Sequence, residues 1–259
     1  MSTAASGMKA QQVNIDTIAN NLANVNTSGY KRSQAEFQDL LYERVAPSGG
    51  VGVDGRAAPV RVEVGHGVKL VATRKDFEQG LVVATNNPLD IMIEGDGFFQ
   101  LRLPDGSLAY ARDGSFKLDA ERNVVTSAGY VLEPELQIPV DATEIAVSRE
   151  GIISVRLQGD SSTIQEIGQL ELARFPNPAG LEARGGNLFL ATPNSGQPIL
   201  ATPGTEGIGE TSSGYLEKSN VEAVEELVSM IAAQRAYELN SKTITMADEM
   251  LQTANRLKR

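Results

Sequence analysis

The side chains able to do acid–base or metal chemistry are few, and their surroundings decide what they can do. Glu94 with Asp96, and Asp105 with Asp113, are carboxylate pairs of the kind that serve as general acid and base in glycoside cleavage. Each stands beside a glycine in a turn-forming run, as in Glu94-Gly95-Asp96-Gly97, and turn duty accounts for them. A hydrolase acting on cell-wall glycan would need a buried acid among aromatics, and the sequence offers none. The single histidine, His66, lies between Gly65 and Gly67, a loop-surface setting that supplies no partner for a catalytic triad. Multi-histidine metal sites are excluded, and with no cysteine there is no disulfide, thiolate nucleophile or thiolate-bound zinc or iron–sulfur centre. The Gly-x-Gly pairs at 65–67 and 95–97 lack the third glycine and the following helix of a dinucleotide site. No phosphate-binding loop, nucleophile elbow or calcium loop is present. The expectation is a chain with no catalytic residue, cofactor or metal.

The composition points to a different kind of work. Of 259 residues, 5% are aromatic and none is Trp, whereas Gly numbers 25 and Pro 11, which implies a lean core with many turns. A net charge of −10 argues against nucleic acid, which requires a basic face. Residues 1–45 balance at zero and residues 215–259 at −1, so −9 resides in the middle. Near-neutral ends can associate with copies of themselves while an acidic middle keeps the outside soluble. No apolar run reaches membrane-spanning length, and residues 1–10 lack the basic start and apolar stretch of a cleaved signal peptide, so no direct membrane insertion is expected.

Two helical ends frame this middle. Met1, Ala4, Met8, Gln11, Ile15, Ile18, Leu22 and Val25 recur at steps of three and four, a heptad seam that stops at Asn26-Thr27-Ser28-Gly29. Phe37, Leu40, Leu41 and Val45 suggest a second short helix over 35–45. Pro47–Pro59 reads as a Gly/Pro-rich linker, and the alternation of Val60, Val62 and Val64 as an extended strand continued by 68–72. From Leu89 to Phe175, and again at 188–190, short apolar runs with close turn signals predict an antiparallel sheet domain. Its hairpins include one turning at Pro104-Asp105-Gly106 and one at Asp113-Gly114. Thr192–Ser213 reads as irregular. The last helix, Val221–Leu257, is capped by Ser219 or Asn220. It carries one seam through Val221, Val224, Val228, Ile231, Arg235 and Leu239 and a second through Leu227, Met230, Gln234, Tyr237, Ser241 and Ile244. Two seams on one helix call for more than one packing partner.

The stretch Ala19–Arg32, ANNLANVNTSGYKR, places Asn20, Asn21, Asn24 and Asn26 on a helix that such residues make marginal alone. It resembles the amino-terminal signature of bacterial flagellar rod and hook proteins. Glu94–Asp119 is similar to the β-domain segment of that family, Gly168–Phe189 to a further part of it, and Gly214–Lys242 to its carboxy-terminal helix. Length and the run Phe37-Gln38-Asp39-Leu40-Leu41-Tyr42 look most like distal-rod members, whose rod-specific segment corresponds to about 44–64. The hook and proximal-rod members are the alternative.

The resemblance implies an α+β fold: amino- and carboxy-terminal helices paired as a coiled coil with an inserted antiparallel β-rich domain. The implied segments are 1–45 (amino-terminal assembly), 46–73 (extended linker), 74–213 (β-rich outer domain) and 214–259 (carboxy-terminal helix). It implies a structural subunit that polymerises helically into a rigid hollow drive shaft crossing the periplasm. Its partners would be further copies, other rod and hook subunits, and the P- and L-ring bushing proteins. Export would run through the flagellar type III apparatus without a cleaved signal peptide. The residues expected to carry self-assembly are Ile15, Ile18, Asn20, Asn21, Leu22, Asn24, Thr27 and Gly29 in the first helix and its exit. In the last helix they are Leu227, Ile231, Arg235, Tyr237 and Asn240.

Overall fold

A computed structural model describes residues 2–46, 62–158 and 164–257. The Pro47–Pro59 linker, Val60 and the seam position Met1 lie outside these residues. The chain forms two compact units. One comprises 1–23, 33–74 and 222–259, and the other 24–32 with 75–221.

In the first unit, helix α1 spans Ser2–Ala23; the turn that follows it in the chain, where Thr27 N–H reaches the Asn24 carbonyl at 3.1 Å, belongs to the second. The short helix expected over 35–45 does not form. Strands β1 (Ser33–Asp39) and β2 (Tyr42–Ala46) stand there, followed by β3 (Val62–Gly65) and β4 (Val68–Lys75). A helix there would need a buried apolar face, yet Phe37 is 38% and Leu41 88% exposed. Strand pairing supplies the backbone partners instead: β1 pairs with β4, and β2 runs antiparallel to β3 with Tyr42 opposite Gly65.

Helix α2 (Ala223–Leu257) has Glu225 and Glu226 in its first turn and Arg256 in its last, matching the helix dipole at both ends. At 35 residues it is about 52 Å long. It starts two residues later than the pattern implies: Ser219 Oγ accepts the Val221 N–H at 3.2 Å, ahead of the helix, and Asn220 bonds within the second unit. Its Oδ1 accepts the Arg32 N–H at 2.8 Å, and its Nδ2 donates to the Asp76 carbonyl at 3.0 Å.

The second unit is built from short strands. In chain order they are β5 (Val82–Ala84), β6 (Ile91–Glu94), β7 (Phe98–Arg102), β8 (Leu108–Ala111), β9 (Phe116–Leu118), β10 (Val124–Thr126) and β11 (Val131–Glu133). Then come β12 (Ala142–Val147), β13 (Ile152–Leu157), β14 (Ile164–Gln169), β15 (Leu172–Arg174), β16 (Glu182–Gly185), β17 (Leu188–Leu190), β18 (Ile199–Ala201), β19 (Glu210–Ser213) and β20 (Tyr215–Glu217). The first predicted hairpin is present, β7 pairing with β8 across Pro104-Asp105-Gly106. The second is not: β8 takes β17 as its other neighbour, and β9 pairs with β10. The stretch 192–213, read as irregular, contains β18 and β19. Their partners, β15 and β6, lie far away in sequence, so no local pattern announces them.

Strand β7 is the hub. One edge pairs with β8, and the other is shared between β15 at Phe98–Phe99 and β11 at Gln100–Arg102. Its two faces are both covered. Phe99 and Leu101 join the main core with Ile91, Phe116, Leu132, Ile153 and Leu172. Phe98 joins a smaller aromatic cluster with Tyr110, Phe175 and Phe189, against which Phe77 packs edge-on at 5.3 Å from Phe189. A strand with both faces covered reads as a nearly continuous apolar run, and in FFQL only Gln100, itself buried, interrupts it. The Phe99 ring, fully buried, meets Phe116 edge-to-face at 5.0 Å. Phe99→Ala is therefore expected to cost about 3–5 kcal/mol in urea unfolding of the second unit.

Candidate assembly site

The two helices of the first unit run antiparallel, side by side. A Cβ at Gly7 would lie 3.0 Å from Asn240 Nδ2, and Asn21 Nδ2 lies 3.4 Å from Glu226 Oε2. Fourteen residues forward on α1 thus correspond to fourteen back on α2. Small residues make the approach possible, with Ala10 and Ala233 buried on the two helices. The same register sets Ser2 beside Thr245, so α2 continues from Met246 to Leu257 past the described start of α1.

Asn21 is the polar centre of this pairing. It is 1% exposed, its Nδ2 donates to the Ser33 carbonyl at 2.8 Å, and its Oδ1 accepts the Ser33 N–H at 2.9 Å. An asparagine amide offers the same donor–acceptor pair as a peptide, so it replaces a missing strand neighbour at the start of β1. The Glu226 carboxylate, itself 1% exposed, completes the group.

The exit segment 24–32 belongs to the second unit. Thr27 Oγ1 bonds Asn24 Oδ1 at 3.2 Å and closes the turn. Gly29 has φ of 68°, and its N–H donates to the Glu217 carbonyl at 2.9 Å. A Cβ there would sit 2.5 Å from the Asp113 nitrogen, so only glycine fits. Two residues on, Lys31 is fully buried. Its Nζ donates to Glu217 Oε1 at 2.6 Å and to the Glu78 carbonyl at 2.6 Å. The other Glu217 oxygen faces Arg112 Nε at 3.6 Å, while that guanidinium donates to the carbonyls of Gly97 at 2.8 Å and Gly95 at 2.7 Å. Burial, and then the Arg112 charge, hold the Lys31 pKa below the ordinary lysine value; the Glu217 carboxylate opposes them.

The other expected assembly residues are dispersed. Ile18 is buried, Ile15 and Leu22 are half-buried, and Asn20 lies on the exposed side of α1. Asn240 is half-buried against Gly7. Leu227, Ile231 and Tyr237 are 46%, 53% and 39% exposed, and Arg235 is exposed beside them. Val224, Val228, Leu239, Met246 and Met250 extend this apolar surface along α2. Of the carboxylates considered for catalysis, two do turn work: Asp105 accepts the Ser107 N–H at 2.9 Å and Asp113 the Ser115 N–H at 3.1 Å. Among the described residues there is no cluster that could hold a metal ion and no helix long and apolar enough to cross a membrane.

Three family models match the chain: a flagella basal body rod protein model over 1–31, a flagellar hook protein FlgE/F/G D1 domain over 92–155, and a flagellar basal body rod FlgEFG protein C-terminal model over 212–257. The flagellar basal-body rod protein FlgG of Borreliella burgdorferi is 52% identical over 99% of this chain and 97% of its own length. The chain belongs to the flagellar basal-body rod family. FlgG of Caulobacter vibrioides is 47% identical over 99% of the chain and 98% of its own length, and FlgG of Bacillus subtilis 37% over 98% and 97%. The chain is thus a structural rod subunit. In this rod subunit Lys31, Arg112 and Glu217 fall one in each of the three matched segments.

Sequence reasoning missed Lys31, Arg112, Glu217 and Glu226. Lys31 stood inside the quoted signature, but a lysine beside Arg32 reads as solvated, and only its depth in the fold reveals its role. Gly29→Ala is expected to destabilise the second unit by about 2–5 kcal/mol in urea unfolding, through left-handed strain plus the clash with Asp113. Asn21→Leu, which keeps the branching and heavy-atom count and deletes both bonds to the Ser33 backbone, is expected to cost about 1–3 kcal/mol, read from hydrogen exchange in β1.

Proposed function

We propose that this rod subunit forms the distal rod, polymerising helically into a stiff hollow shaft that crosses the periplasm and passes torque to the hook. Residues 1–45 and 214–259 would supply the shaft wall, with 46–73 as the rod-specific segment and 74–213 as the outward domain. Segments 24–32 and 214–221 share one compact unit with 75–213. The helices α1 and α2 would wind as a coiled coil, and α2 would use its remaining apolar surface on neighbouring copies. Ile15, Ile18, Asn20, Asn21, Leu22, Asn24, Thr27 and Gly29 would order the first helix and its exit. Leu227, Ile231, Arg235, Tyr237 and Asn240 would carry the contacts along α2. Other rod and hook subunits would continue the structure at its ends, with the P- and L-ring proteins as the surrounding bushing. Export would use the flagellar type III apparatus.

One observation carries the reading. Val224, Leu227, Val228, Ile231, Leu239, Met246 and Met250 are each between 46% and 75% exposed on one helix, far more apolar surface than a solitary soluble helix keeps. The near-neutral charge of the chain ends suits self-association. Electron microscopy of the assembled polymer is expected to show straight, rigid tubes; curved, flexible ones would place the subunit in the hook instead. Ile231→Asp is expected to abolish polymerisation while leaving the melting of the second unit unchanged. Normal tubes from that variant would remove α2 from the assembly contact.

A further inference from the structure

Glu217 meets an unusual number of obligations for one residue. Its carbonyl takes the Gly29 N–H at 2.9 Å, and its carboxylate takes Lys31 Nζ at 2.6 Å and the Gly80 N–H at 2.9 Å while facing Arg112 at 3.6 Å. The residues that follow continue the pattern. Lys218 N–H donates to the Leu81 carbonyl at 2.8 Å and Lys218 Nζ to the Asn26 carbonyl at 3.3 Å, and Asn220 holds both Arg32 and Asp76. The run 217–220 therefore covers the exit loop on one side and the stretch 76–81 on the other.

Without this run the interior of the unit has the wrong charge. The Lys31 and Arg112 side chains are 0% and 3% exposed, and Glu217 is the buried carboxylate that pairs with both. Two buried cations left with carbonyl groups and the weaker fields of Asp76 and Asp96 are unfavourable. Lys31 is 186 residues from Glu217, so the cations are in the chain long before their counter-ion.

We propose that Glu217 is the closing element of the second unit: the exit loop 24–32 becomes ordered only when the carboxy-terminal run 217–220 arrives, so an incomplete chain keeps its amino-terminal signature open. The loop and the run then form a single cooperative element that closes and opens together. This is a folding order built into charge placement, and it holds whichever part of the flagellum the subunit occupies.

Native-state hydrogen exchange on the full-length subunit, in a series of low denaturant concentrations, tests it without a variant. The amides of Gly29, Arg32, Asp76, Gly80 and Lys218 are expected to exchange with one common opening equilibrium. Gly29 and Arg32 exchanging through an opening that leaves Gly80 and Lys218 protected would overturn the proposal. A second measurement uses Glu217→Gln with an amine-reactive reagent and mass spectrometry of the Lys31 peptide. Labelling of Lys31 is expected to rise at least tenfold over the native chain while amides of β7 and β11 stay protected. Lys31 remaining unlabelled in that variant would equally overturn it. Should the variant unfold throughout, the exchange measurement on the native chain decides.

Discussion

A carboxylate sealed inside a β domain needs cations brought to it, and those cations tolerate burial only because it is there. The Glu217 group is built on that mutual dependence, with Lys31, Arg112 and Glu217 supplied from three separate stretches of the chain. Apolar residues of similar volume could fill the same space, often with no loss of stability. What they could not supply is direction. A charge-assisted bond at 2.6 Å and a glycine at φ of 68° fix where the exit loop lies, whereas apolar contacts would let it slide.

The pairing of the helices follows a related economy. Gly7, Ala10 and Ala233 let two backbones approach, which gives little apolar burial per turn, and the buried members of α1 are Ala10, Ile18 and Asn21. Across the pair Asn21 Nδ2 reaches Glu226 Oε2 at 3.4 Å, and the same asparagine ties α1 to the start of β1 through Ser33. The pair's larger apolar side chains, on α2, remain outside. A helix that keeps Val224, Val228, Leu239 and Met250 in solvent has its main stabilising surface still to bury.

The parts legible from sequence were those written locally. The two terminal helices show a period of three and four, β7 shows as the run FFQL, and the β7–β8 turn as Pro-Asp-Gly, so each could be placed within a few residues. The parts missed were those set by distant partners. Strands β18 and β19 exist because β15 and β6 lie beside them, and residues 35–45 are strands because backbone partners outweigh a helical spacing whose apolar side chains stay exposed. Of the signature asparagines, Asn21 alone is buried, and nothing in its spacing separates it from Asn20 next door. That distinction arises only when Ser33 is brought back to the helix.

The charged residues at the site were illegible for a more general reason. Lys31, Arg112 and Glu217 are residue types found mostly at surfaces, so each taken alone is correctly read as solvated. Their burial is a collective property: the two cations without the carboxylate, or the carboxylate without a cation, would leave an uncompensated charge inside. The same logic explains why helix α2 begins at Ala223 rather than next to Asn220. A side chain that would ordinarily cap the helix is committed to Arg32 and Asp76, and the helix dipole is met instead by Glu225 and Glu226 one turn later. Ser219, the other expected cap, takes the Val221 N–H at 3.2 Å, and the first helical bond runs from Glu226 N–H to the Glu222 carbonyl at 3.0 Å.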